Sequence, residues 1–556
     1  MSVICNFGSQ RYLRFNFKSK HNLKLTINRF FIVIHISIVL ISCNLNSKKS
    51  SKEIIRFNSA TGITSLDPAY ARTQENIRAV NQLFNGLVQL DEQLNVGPSI
   101  AKKWSISEDA KTYTFILNSE VFFHNHPIFK MQKRKVVSSD FEYSFNRILD
   151  TTTASDGAWI FNDIIDQSQP FTSINDTIFQ IKLNKPFAPF LNMLTMAYCY
   201  VVPKEIVELY GDEFGKKPIG TGPFMFANWA DGIKLNMIRN INYFESTQQN
   251  NIPKIDGISI SFIQSKQTEL LEFIQGNLDL FSGLESSFKD EIITAKATLN
   301  PKYINDFEIQ INPFLNTEYL AFNMKDKSSP INDLNYRKAI HHCIDRDAMI
   351  TYLRNGIGTP ADGGFIPIGL PGHVTYDNSS FDLDLAKEYV QKSNVKNNKP
   401  ITLTTTSNYL DLCILVQKNC AEIGIEVEID VVPASLLKQQ KSSGDLSFFR
   451  SSWIADYPDG ENFMACFYGP NKAPNGPNYS RYSNQEFDLI YKKVVACTDN
   501  SVKRKLFNKM ENLLIKDQPF ILLFYDESIW IKNKRINHIN VNPLNHLDLR
   551  FTYFES

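Results

Sequence analysis

The chain has almost no net charge: 59 Lys and Arg stand against 58 Asp and Glu in 556 residues. No summed field therefore draws it to nucleic acid or to a charged membrane surface. It has no Cys-x-x-Cys pair, so a zinc site of that type is unsupported. It also lacks His-Glu-x-x-His, Gly-x-Ser-x-Gly and the P-loop pattern, and catalysis of those kinds finds no footing. There is no internal repeat, and no low-complexity block beyond one short polar stretch near the N-terminus. The apolar run there, Phe30 to Cys43, is too short for a comfortable membrane span.

What is present describes a folded, multidomain chain. Apolar residues make up 43% and charged residues 21%, as in globular proteins. The length predicts roughly two to four domains. Aromatics are plentiful, with 41 Phe and 22 Tyr, enough to build cores and to line a cleft for varied apolar groups.

The N-terminus reads as an address. A basic stretch from Arg11 to Arg29 precedes the apolar run, the order of a signal peptide. Leu40-Ile41-Ser42-Cys43 resembles the bacterial lipobox, which makes 1–43 a lipoprotein signal region with Cys43 lipidated as the first mature residue. Residues 44–52, rich in Ser, Lys and Asn, form a tether with nothing to bury. Export permits disulfides. Cys413 and Cys420 cannot pair with each other, because on one helix they stand about 10 Å apart along its axis.

Strand and helix signals alternate, which argues an α/β fold. Ile54–Phe57 and Tyr113–Leu117 read as strands, and Asn76–Leu83 as a helix. Ser139 to Glu142 has capping-box spacing and predicts a helix start. The stretch Ser452-Trp453-Ile454-Ala455-Asp456-Tyr457-Pro458-Asp459-Gly460 puts a large aromatic and a carboxylate three apart where a strand gives way to a turn. Binding groups gather in such places, since loops on a rigid scaffold present side chains to a ligand. Turn capping is the ordinary role of an Asp there. The pairs His124/His126 and His341/His342 lack the neighbouring ligands a metal site needs, and no metal is expected.

The order of the remaining motifs resembles the family 5 solute-binding proteins of bacterial ABC importers, the dipeptide- and oligopeptide-binding proteins. Matching pieces include Ser65-Leu66-Asp67-Pro68-Ala69, Phe84-Asn85-Gly86-Leu87-Val88 and Asp140-Phe141-Glu142-Tyr143-Ser144-Phe145-Asn146-Arg147. Pro218-Ile219-Gly220-Thr221-Gly222-Pro223-Phe224 is the most specific. Tyr336-Arg337-Lys338-Ala339-Ile340 and Ile423-Gly424-Ile425-Glu426-Val427 continue the series in order along nearly the whole mature chain. After His124 the chain departs from the family pattern with a basic loop, Lys130 to Lys135, which reads as a solvated surface.

The resemblance implies a two-lobed periplasmic-binding-protein fold (class II, with an extra domain) and a ligand cleft between the lobes. Lobe I would take 53–84, 200–313 and 525–556, the extra domain 85–199, and lobe II 314–524. By the same resemblance Asp456 holds a ligand's α-ammonium and Trp453 walls the pocket. Tyr457, Tyr479 and Tyr482 are further candidates, and Ser65, Asn85 and Gly86 would border the cleft at a lobe junction. Close backbone packing accounts for Gly220, Thr221 and Gly222. The implied function is capture of peptides by lobe closure and delivery to ABC permease and ATPase subunits. The protein would be an extracytoplasmic, lipid-anchored monomer, with no cofactor, no catalytic residue and no nucleic-acid partner. A metal chelate, haem or sugar as ligand, a sensor role and a secreted hydrolase stay open as alternatives, since fold does not fix function. Arg337, Arg346, Arg354, Arg450 and Arg481 all qualify by charge to meet a peptide carboxylate.

Overall fold

A computed structural model describes residues 52–130, 132–283, 289–376, 381–395 and 399–555. Residues 1–51, where a signal peptide, Cys43 and a tether are expected, and Met131 of the basic loop lie outside the described residues.

The principal elements follow the alternating pattern and are numbered in chain order. β1 (Ile54–Asn58) leads to α1 (Gln74–Leu83), whose Thr73 cap accepts from the Asn76 N–H. β2 (Ala101–Ile106) and β3 (Thr112–Leu117) form a hairpin; β3 buries every second side chain, as a half-covered strand should. α2 (Ser138–Leu149) starts earlier than the Ser139 signal predicts. The residue that fixes its start is Asp140, which accepts from the Val137 N–H at 2.8 Å. The same carboxylate pairs with Arg134, which also reaches Glu205. That pairing withdraws Arg134 from the solvated basic loop, whose Lys130, Lys133 and Lys135 remain exposed.

β4 (Phe171–Asn175) and β5 (Ile178–Lys182) complete an antiparallel sheet in the order β2-β3-β5-β4. Phe115, Phe141, Phe145 and Phe179 bury their rings between that sheet and α2. A second sheet takes β6 (Phe224–Ala230), β7 (Lys234–Arg239) and β8 (Gly257–Ser261) beside β1, in the order β1-β8-β7-β6. Its core includes Ala79, Val80 and Leu83 of α1. Gly220 and Gly222 let the chain pass against α1: a Cβ on Gly220 would lie 2.0 Å from the Leu83 carbonyl oxygen. His124 seals this crossing, accepting from the Gly220 N–H at 3.3 Å and donating to the Gly222 carbonyl at 3.0 Å.

The largest sheet holds β9 (Leu280–Ser282), β10 (Phe307–Phe322), β11 (Ile401–Thr405), β12 (Val427–Val431), β13 (Phe448–Ile454) and β14 (Phe520–Asn533). Their order is β9-β14-β10-β13-β11-β12. β11 and β12 are parallel, joined by the helix Leu410–Ala421 as parallel neighbours require. β10 and β14 run side by side for most of their length. Tyr319 and Ala321 face one core and Leu320 and Phe322 the other, so this part of the sheet is covered on both faces. The pairing slips between Pro313 and Thr317, where Pro313 cannot donate to the ladder. The six described cysteines are free; Cys343 and Cys420 face each other with sulfurs 3.7 Å apart.

Candidate ligand-binding site

β13 carries Trp453 into register opposite Thr317 of β10. The strand ends at Ile454, and the Ala455 N–H donates to the Leu315 carbonyl at 2.9 Å, inside the slipped segment of β10. The chain then turns into a short helix, Gly460–Met464. Asp459 caps it by accepting from the Glu461 N–H, and Lys503 pairs with Asp459 below the surface.

This cap places Asn462 where its amide meets both candidate residues. Its Oδ1 accepts from the Trp453 indole N–H at 2.9 Å and from the Asp456 backbone N–H at 3.2 Å. Its Nδ2 donates to the Asp456 carboxylate at 3.3 Å. Asp456 is open to solvent, yet the surrounding protein strips enough hydration to push its carboxyl up to about 6, against the pull of the Asn462 amide. The carboxylate is thus accessible and poorly hydrated at once. Among the described residues no Lys or Arg pairs with it.

Residues from the first part of the chain pack beside this segment. Trp159 stacks on Tyr457, ring centroids 6.4 Å apart. Gly157 lies against Tyr198; a Cβ there would come within 2.6 Å of the ring. Arg72 pairs with Asp156 at 3.3 Å. Burial raises the Tyr198 hydroxyl far above its ordinary value, the charges of Asp156 and Asp456 push it the same way, and Arg72 opposes them. Arg72 and Asp456 thus address one hydroxyl from two parts of the chain.

The other candidates divide. Tyr457 is buried, its ring packed in the core of residues 87–201 and its hydroxyl donated to Glu461. Glu461 also accepts from Tyr491, and burial pushes its carboxyl up to about 7. Tyr479 is half-buried beside the Trp453 core, with the Lys441 ammonium 5.0 Å above its ring. Tyr482 is buried and donates to Asp517 at 2.6 Å. Ser65 lines a separate polar cavity with Asp67 and Arg147. Asn85 bonds Thr221 and Tyr243, and Gly86 packs on Tyr200, beside a small cavity closed by Arg550. The structure brings Trp453 and Asp456 together, and it leaves Ser65, Asn85 and Gly86 in these other cavities.

The sequence model for the bacterial extracellular solute-binding proteins, family 5 middle, matches residues 95–475. The chain belongs to this family. It is 21% identical to the dipeptide-binding protein DppE of Bacillus subtilis over 94% of this chain and 97% of the relative. The heme-binding protein A of Haemophilus influenzae is 23% identical, over 85% and 87%. The fold is that of the periplasmic binding protein DppA of Helicobacter pylori, solved with the peptide STSA: the TM-score is 0.74 at 24% identity, covering 92% of this chain and all of the other.

Within this family 5 chain, the five arginines that charge alone nominated all have protein partners. Arg337, Arg346 and Arg481 donate to backbone carbonyls, among them Gln518, Leu522 and Ser442. Arg354 pairs with Asp526, and Arg450 with Glu318. The residues that sequence reasoning missed are Asn462, Arg72, Asp156 and Tyr198. Only Asn462 left a local signal, since the Asp459 turn starts a helix that carries it back to the strand end. Among the described residues no helix is long and apolar enough to cross a membrane.

Proposed function

We propose that this protein captures peptides with a free amino terminus and delivers them to an ABC permease. The observation that carries the reading is the Asp456 carboxylate, accessible, held by Asn462 and, among the described residues, lacking a cation. A poorly hydrated carboxylate without a partner is costly, and a ligand ammonium removes that cost. Trp453, fixed by the same amide, supplies an apolar wall. The binding lobes are 53–84 with 200–313 and 525–556, and 314–524, with 85–199 packed on the first. Ligand bridging the two stabilises the closed state over the open one. The lipobox-like run Leu40–Cys43 supports lipid anchoring at Cys43 with the folded chain outside the cytoplasm. The family as a whole is one of solute-binding proteins, and the peptide-bound relative supports the ligand class.

The test is calorimetry of the purified mature chain with Ala-Ala and its N-acetyl form. Free-amine peptide binds and the acetylated one does not. Asp456→Ala removes binding. Equal affinity for both forms, or full affinity in Asp456→Ala, sinks the reading.

A further inference from the structure

The ammonium site leaves open what meets the rest of the ligand. Five arginines are excluded by their protein partners. Arg72 differs from them in three ways.

Its one carboxylate contact is weak. A single nitrogen reaches Asp156, at 3.3 Å, and both side chains are about half exposed, 53% and 45%. Exposed pairs of this kind contribute little. A guanidinium offers five N–H donors in a planar fork, so most of its capacity is unspent. An incoming carboxylate that takes two of those donors gains more than the exchange loses.

Its backbone position is fixed although its side chain is only weakly held. Arg72 lies between the Pro68–Tyr70 turn and Thr73, the cap of α1. The turn is anchored by Asp67, buried and bridged by two nitrogens of Arg147 at 2.9 and 2.6 Å. Tyr70 donates to the Thr153 carbonyl at 2.6 Å and ties the turn to the segment that carries Asp156.

It is also linked to the ammonium site through Asp156. The segment after Asp156 packs Gly157 on Tyr198 and stacks Trp159 on Tyr457, the residue next to Asp456. Arg72 and Asp456 thus act with opposite sign on the Tyr198 hydroxyl, and a ligand near that ring meets a positive and a negative group.

We propose that Arg72 exchanges Asp156 for a carboxylate of the bound peptide, so that the protein selects peptides with an acidic group close to the amino terminus. This rests on the peptide reading above. The carboxylate has two sources, the main-chain terminus of a dipeptide or the side chain of an early Asp or Glu. Asp156 is the competitor that holds Arg72 in place while no ligand is bound.

Calorimetry on the mature chain separates these with matched pairs: Ala-Ala against Ala-Ala-amide for the main-chain source, and Ala-Asp-amide against Ala-Asn-amide for the side chain. The acidic member of at least one pair binds about tenfold more tightly, the scale of one charged hydrogen bond. Arg72→Gln brings acid and amide to the same affinity, and Asp156→Asn tightens the acidic peptide. Unfolding midpoints of both variants are read alongside, since neither side chain is in a core. No preference in either pair, or an unchanged preference in Arg72→Gln, overturns the role of Arg72 while leaving the ammonium site standing. Failure of every free-amine peptide to bind the unaltered protein overturns both.

Discussion

Asn462 grips Asp456 twice, taking its backbone N–H at 3.2 Å and giving an amide N–H to its carboxylate at 3.3 Å. The third bond of that amide, from the Trp453 indole, makes one side chain the support of both cleft residues. Asn462→Ala is therefore expected to weaken peptide binding about tenfold, the effect of losing one hydrogen bond to a charged group. Calorimetry with Ala-Ala reads it. Affinity equal to that of the unaltered chain would show that the carboxylate needs no positioning.

The raised carboxyl of Asp456 gives the binding a pH profile. An ammonium ligand needs the carboxylate, and the free protein's value of about 6 sets where it is lost. Affinity is expected to peak near about pH 7, to decline above about pH 8 as the peptide's own ammonium deprotonates, and to fall toward tenfold per unit well below the Asp456 value. Asp456→Asn should abolish the profile. Stability of the ligand-free protein runs the other way. A carboxyl whose folded value lies above its unfolded one stabilises the fold most below the unfolded value, and this is lost as pH rises through the folded value. Asp456, Glu461 and Glu511, the last two pushed up to about 7 by burial, all act in that direction. His124, His341 and His546 are held low by burial and act the opposite way over the same range, so the Asp456 contribution is read as the change in the pH dependence of thermal unfolding between the unaltered chain and Asp456→Asn.

Elements built from neighbours were legible in the sequence. Period-two burial along Thr112–Leu117 and the apolar spacing of α2 show in the residues themselves. The start of α2 was misplaced because its decisive bond runs backward, from Asp140 to Val137, where a forward Ser–Glu box also fits the letters. Trp453 and Asp456 stood out because their residue types and spacing are local. Arg72 did not, because its partner is 84 residues away and nothing near it marks the contact. The five arginines show the reverse failure. Their charge is visible in the sequence, and the carbonyls and carboxylates that occupy them are visible only in the fold.

The Gly220–Gly222 crossing, foreseen as close packing, makes a prediction about stability. Gly222 donates to the Leu83 carbonyl at 2.8 Å, and a Cβ on it would stand 2.4 Å from the Leu83 carbonyl carbon. The obstacle is backbone at the end of α1, which cannot swing aside as a side chain would. Gly222→Ala is expected to cost about 3 kcal/mol, the upper range for overpacking a filled interior. Urea unfolding measures it. A loss within the noise of a surface substitution would mean that α1 can move away.

Trp159 offers a test of closure that is separate from ligand chemistry. Its ring reaches from the 85–199 segment to Tyr457 and touches neither Asp456 nor Arg72 in any polar contact. If lobe closure is what the ligand stabilises, this stack belongs to the closed state and favours it before any peptide arrives. An aromatic pair contributes about 1 kcal/mol beyond its buried area, so Trp159→Ala should weaken binding about fivefold. The loss should be the same for Ala-Ala and for Ala-Ala-amide, because a shift in the open–closed balance taxes every ligand equally. A loss confined to the acidic peptide would instead tie Trp159 to the placement of Asp156 and Arg72, and an unchanged affinity for both would remove the stack from the closing contact.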